Sequence, residues 1–144
     1  GRHQRIAIYR STIYHMVSDR LNDHDYRRLL AFRTELRRFL QWSEEQAITD
    51  GITPAQHQLL LAVRGHAEPH DPTIGDVADA LLLRHHSAVG LVDRTVDAGL
   101  LRRIRDADDH RRVRLRLTAR GARILARLSR RHLEELRRLE RGVL

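Results

Sequence analysis

Between Thr73 and Thr118 the hydrophobic period of the chain changes, and that change limits the fold more than any other feature. Ile74, Val77, Ala78 and Leu81 recur at i, i+3, i+4 and i+7, the spacing of one helix face. Pro72 precedes them, and Thr73 is a good N-cap. A second helical pattern begins near His85, with Val89, Val92 and Val96 as its apolar stripe and Gly99 as its C-cap. Only Leu82, Leu83 and Arg84 separate the two, so this is a helix-turn-helix candidate. From Arg112 the period falls to two, with Arg112, Arg114 and Arg116 alternating with Val113, Leu115 and Leu117. Together with Arg102-Arg103-Ile104-Arg105 and the turn at 106–110, this reads as a β-hairpin with one apolar and one cationic face. The fold expected is mainly α with a small β-hairpin wing (α+β), a winged helix-turn-helix of the kind that grips duplex DNA.

Charge supports that partner where it is located. The chain has 144 residues and a net charge of +8, and all 27 of its basic residues are Arg. Eight of them fall between Arg102 and Arg120, against three Asp, so much of the excess sits on the hairpin and its flanks. Arg suits phosphate and guanine because its planar fork donates two parallel hydrogen bonds. With no Cys there are no disulfides, thiolate redox sensors or Cys-based zinc sites. No apolar run approaches the roughly 20 residues of a membrane span, and no secretory signal is visible, so a cytoplasmic location is expected.

The flanks read as long helices. Residues 1–22 form an N-terminal extension, in which Ile6 to Val17 fits a helix or a strand. The His15-Met16 junction suggests that residues 1–15 are vector-derived. Within 23–52, Leu29, Phe32, Leu36 and Phe39 make a helical stripe longer than a domain of this size needs for its own core. Thr53-Pro54 opens a helix whose Leu59, Leu60, Leu61 and Val63 make it central to the winged lobe, 53–117. A short strand near Thr73 is expected to pair with the wing. From 118 to 144, Ile124, Leu125, Leu128, His132, Leu136, Leu139 and Val143 follow a near-heptad seam. Such seams need covering, so segments 23–52 and 118–144 are expected to form the dimerisation region of a homodimer.

These residues also resemble a known family, the MarR (multiple-antibiotic-resistance regulator) transcription factors. Asp109-His110-Arg111 followed by Val113 to Thr118 looks like that family's wing signature. Ser87 to Arg94 with Ala98-Gly99-Leu100-Leu101 resembles its recognition helix and exit, and Thr53 to Leu60 its second helix. The resemblance implies a homodimer that binds a palindromic operator, usually represses, and releases DNA when a small aromatic or phenolic effector binds. It also implies that Arg111 enters the minor groove while Asp109 holds the wing tip by a charge-assisted bond.

Expected sites follow from both readings. Arg84, His85, His86, Ser87 and Gly90 face the major groove at the start of the recognition helix, Gly90 by letting the backbone come close. Arg94 contacts a phosphate or braces the wing, and Arg112 and Arg114 join Arg111 as wing contacts. Phe39, Trp42, His57 and Leu60 are the candidates for an effector pocket, an aromatic wall with a polar handle. His66, Glu68, His70 and Asp71 crowd four possible metal ligands into six residues, which would suit a metal-responsive regulator. A non-specific architectural DNA-binding protein is the other alternative. An enzyme is not expected, for the chain has no phosphate-cradling Gly loop, zinc-protease motif or nucleophile elbow.

Overall fold

The computed structural model describes residues 20–143. The expectations for residues 1–15 and for Ile6 to Val17 lie outside them. Contacts divide the chain into two compact units, one up to Leu40 and one from Gln41 onward. Among the described residues, five helices and one hairpin follow in order: α1 (Asp23–Thr49), α2 (Pro54–Arg64), α3 (Ile74–Leu81), α4 (His85–Asp97), β1 (Leu101–Arg105), β2 (Val113–Leu117) and α5 (Ala119–Val143). None of the described helices is long and apolar enough to cross a membrane.

Local chemistry fixes the helix ends. Asn22 and Asp25 cap α1 reciprocally, each side chain accepting from the other's backbone N–H at 3.0 Å. That cap starts the helix at Asp23, the first residue of the expected segment 23–52. Thr53 with Gln56 and Thr73 with Asp76 form the same device at the starts of α2 and α3. α1 stops because Gly51 takes φ 83°, which lets Gly51 N–H and Ile52 N–H bond back to Ile48 and Ala47. Gly99 repeats this after α4 at φ 74°, one residue beyond the C-cap Ala98, so it follows the cap position and does not occupy it.

Among the described residues, fourteen apolar side chains form a core cluster, all in the second unit; Leu59, Leu60, Val92, Leu100, Leu115 and Leu128 are among its most buried members. Two expected stripes lie differently. α4 turns Ala88, Leu91, Val92 and Thr95 inward, leaving Val89 and Val96 half-buried at its edges. Thr95 is tolerated there because its hydroxyl donates to the Leu91 carbonyl at 2.6 Å. Leu61 of α2 is 53% exposed, since α2 is covered on its other sides only.

β1 and β2 pair antiparallel, Leu101 opposite Leu117 and Arg105 opposite Val113. Alternation puts Leu101, Arg103, Arg105, Val113, Leu115 and Leu117 on one face of the ribbon and Arg102, Ile104, Arg114 and Arg116 on the other. The expected split into apolar and cationic faces therefore holds for β2 alone, because β1 carries Arg on both. The extra pairing near Thr73 is a single bridge to Arg114, with Leu115 N–H donating to the Pro72 carbonyl at 2.8 Å. α5 then departs at close quarters from β1. The Thr118 hydroxyl donates to Gly99 O and accepts from Gly121 N–H, and a Cβ on Gly121 would stand 2.1 Å from the Leu100 oxygen.

Candidate nucleic-acid interface

The start of α4 is open. Arg84 is its N-cap and makes no side-chain capping bond, and Arg84, His85, His86 and Ser87 are all exposed. The turn before it is held by Leu82 in the left-handed region, φ 55°, with its side chain 92% exposed. A non-glycine residue at such an angle costs on the order of 1 kcal/mol, offset here by two short helices whose caps and core faces fix their ends. Gly90 and Arg94 share the outer side of α4. Asp93 bonds Arg103 of β1, so Asp93 takes the bracing role that the sequence suggested for Arg94.

The wing arginines fall into two groups. Arg114 is largely covered and bonds inward, its Nε donating to Asp106 Oδ2 and its Nη1 to the Asp71 carbonyl, each at 2.6 Å. Arg116 grips the Asp71 carboxylate through Nη2 at 2.6 Å. Arg103, Arg114 and Arg116 thus hold the wing to the lobe. Arg114, expected as a wing contact to DNA, is instead turned inward: its side chain is largely covered, and two of its five N–H donors bond within the lobe. Arg102, Arg105, Arg111 and Arg112 are exposed, and none of their guanidinium groups has a bond or ion pair among the described residues.

Acidic residues shape the wing tip. Asp106 accepts from Asp108 N–H at 2.9 Å, from Asp109 N–H at 3.4 Å and from Arg114. These bonds, the Asp108 amide first and Arg114 second, pull its carboxyl down to about 2. Asp109 accepts the backbone N–H of Arg111 at 3.0 Å, so its carboxylate bonds the main chain of the tip and not the Arg111 side chain, which is exposed. The sequence places Asp106 in the hairpin turn but does not show it as the acceptor that gathers the tip, and it gives no sign that Asp71 belongs to the wing. Asp106 closes the hairpin mouth opposite Arg112, its N–H donating to Arg112 O at 3.0 Å.

The other candidates separate. Trp42 and His57 both pack on His132, ring centres 4.8 Å apart in each case. The Nδ1 of His132 lies 2.7 Å from the Leu128 carbonyl, which only accepts, so Nδ1 carries the proton. In the neutral ring Nε2 then accepts from the Ser43 hydroxyl at 2.7 Å. His132, placed by sequence in an apolar seam, is instead a polar hub between Trp42 and His57. Leu60 is fully sealed in the core, and Phe39 is half-buried on the α1 segment up to Leu40. In the loop after α2, Asp71 is engaged by the wing and His66 lies 3.9 Å from Asp76, while Glu68 and His70 are exposed. No three His, Asp or Glu side chains converge on a metal position among the described residues.

Residues 50–112, from the end of α1 to the wing tip, match the sequence model of the MarR family. That segment is a MarR-family winged helix. Solved structures agree on the fold. A MarR-family protein from Bacillus stearothermophilus is 26% identical, with a TM-score of 0.70 over 83% of this chain and 82% of its own. MepR, a transcription regulator of the Staphylococcus aureus multidrug efflux pump MepA, is 22% identical, with a TM-score of 0.67 over 78% of this chain and 81% of its own. A MepR variant bound to an oligodeoxyribonucleotide is 23% identical, with a TM-score of 0.64 over 80% of this chain and 82% of its own. No curated protein matches the chain by sequence. Within that fold, α4 takes the place of the second helix of the helix-turn-helix and the β1–β2 hairpin that of the wing.

Proposed function

We propose that this chain is a DNA-binding transcription regulator, not an enzyme, and that it acts as a homodimeric repressor on a palindromic operator. One observation carries the reading: four wing arginines without internal partners lie on the same lobe as an uncapped, exposed recognition-helix start. The wing supplies phosphate neutralisation and, through Arg111, a minor-groove probe; α4 supplies base contacts. The relative crystallised with an oligodeoxyribonucleotide supports the same use of the fold. Trp42, His132 and His57 are the side chains against which a small aromatic effector would stack.

Selection of bound duplexes from a random pool, followed by footprinting, tests it. The expected product is a dyad-symmetric site whose half-sites are centred about one helical turn apart. Enrichment of no sequence, with equal affinity for all duplexes, would instead identify an architectural protein.

A further inference from the structure

α4 contains one arginine, Arg94, and its placement is unusual for a residue so far along a recognition helix. Such helices enter the major groove by their N-terminal residues, so a side chain near the end of α4 ordinarily reaches only the backbone. Here the Arg94 side chain lies back along the helix toward its start, the direction helical side chains favour. A Cβ built on Gly90, one turn earlier, would lie 3.2 Å from Arg94 Nη1. The guanidinium therefore rests over a bare stretch of backbone that any other residue would occupy.

Nothing within the lobe claims that guanidinium. The Arg94 side chain is exposed and makes no hydrogen bond or ion pair among the described residues, while the adjacent carboxylate of Asp93 is taken by Arg103. His86 and Gly90 are spaced one turn apart on the same side of α4 as Arg94, and Gly90 has no side chain to read with. The one planar, bidentate donor on the helix is thus carried a full turn forward, to the Gly90 position. Its geometry matches the O6 and N7 acceptors of guanine in the major groove.

We infer that Gly90 and Arg94 act as a unit, in which Gly90 is a positioning residue and Arg94 reads a guanine. Gly90 serves the side chain of Arg94, not a close approach of its own backbone to DNA. The inference rests on DNA binding through α4.

The test is a double-mutant cycle on the duplex selected above, with every single base-pair change in one half-site. Arg94→Ala is expected to abolish discrimination at one G·C position, lowering affinity for the preferred site on the order of tenfold or more. Arg94→Lys is expected to keep the salt dependence and lose the same discrimination, since an ammonium has no fork. Gly90→Ala is expected to raise the Tm, because alanine favours a helix over glycine, and yet to lose discrimination at that position. In the Arg94→Ala background Gly90→Ala is expected to change DNA binding little. A loss for Arg94→Ala that is equal on all duplexes, with a salt slope lower by about one, would mean a phosphate contact and overturn the proposal. An equal effect of Gly90→Ala in both backgrounds would overturn it too. If no duplex is selected at all, DNA recognition itself fails, an outcome distinct from an intact site with no Gly90–Arg94 coupling.

Discussion

At the scale of single residues the wing shows how similar arginines acquire different work. Arg111 and Arg114 both follow from the sequence as wing arginines, but only Arg111 is left without an internal partner. Arg111→Ala is expected to cost about 1–3 kcal/mol of DNA affinity per half-site while leaving the Tm unchanged. Arg114→Ala is expected to lower the Tm as well, because Asp106 and the Asp71 carbonyl lose a shared donor that ties the hairpin to the α2–α3 loop. Binding titrations and melting curves on the two variants check this; equal melting temperatures would remove the distinction. The alternation of β2 was readable because period two is a property of the sequence itself. Which arginines face inward was not, since that depends on Asp71, more than forty positions away, and on the Asp106 turn. Asp71 had been read among possible metal ligands for the same reason, as its partner Arg116 is distant in sequence.

Elements were more legible than contacts. Thr53, Thr73 and Gly99 announced helix ends because capping uses residues within three or four positions. Of the three valines that outline a stripe on α4 only Val92 is fully buried, whereas Ala88 and Thr95, poor hydrophobic signals, are buried beside it with Leu91. The junction of β1 and α5 depends on a feature invisible in any periodic pattern. Gly121 meets the Leu100 carbonyl so closely that Gly121→Ala must push α5 off the sheet, at an expected cost of about 1–3 kcal/mol or more. Gly142 meets nothing within 4 Å, so Gly142→Ala is the control and should be neutral or slightly stabilising. Denaturant midpoints for the pair decide the matter, and equal midpoints would contradict the close packing.

The junction of α1, α2 and α5 adds a dependence on pH. His57 is buried beside His132, and burial first, then the charge of His132, hold its pKa below the ordinary 6.5, with Asp50 opposing. Above pH 6.5 the ring is neutral folded or unfolded, so its contribution to stability is complete. As pH falls below 6.5 the unfolded chain takes up a proton that the folded chain refuses, and stability declines until pH passes the lowered value. The slope from this group is no steeper than about 1.4 kcal/mol per pH unit. Unfolding free energies of the parent and His57→Phe between pH 7.5 and pH 5 should diverge in slope below about pH 6.5. Parallel curves would show that His57 does not supply the linkage.

For the whole molecule the decisive question is what covers its apolar helices. Leu29, Phe32, Leu36 and Leu40 repeat along α1 and are between 45% and 61% exposed, and on α5 Leu133 and Leu136 are about half exposed. On α1 alone, such a row exceeds the scattered apolar residues normal on a soluble surface, and a second copy would bury it. The expected species at micromolar concentration is a dimer by sedimentation equilibrium. Leu36→Glu, a charge placed at mid-stripe, is expected to yield a folded monomer, because Leu36 lies outside the winged core and helical circular dichroism should persist. That monomer should bind a single half-site with a salt slope about half that of the dimer, since only one wing and one recognition helix then neutralise phosphates. A Leu36→Glu protein that remains dimeric, or a parent that is monomeric and still protects two half-sites, would refute the assignment of α1 to the dimer interface.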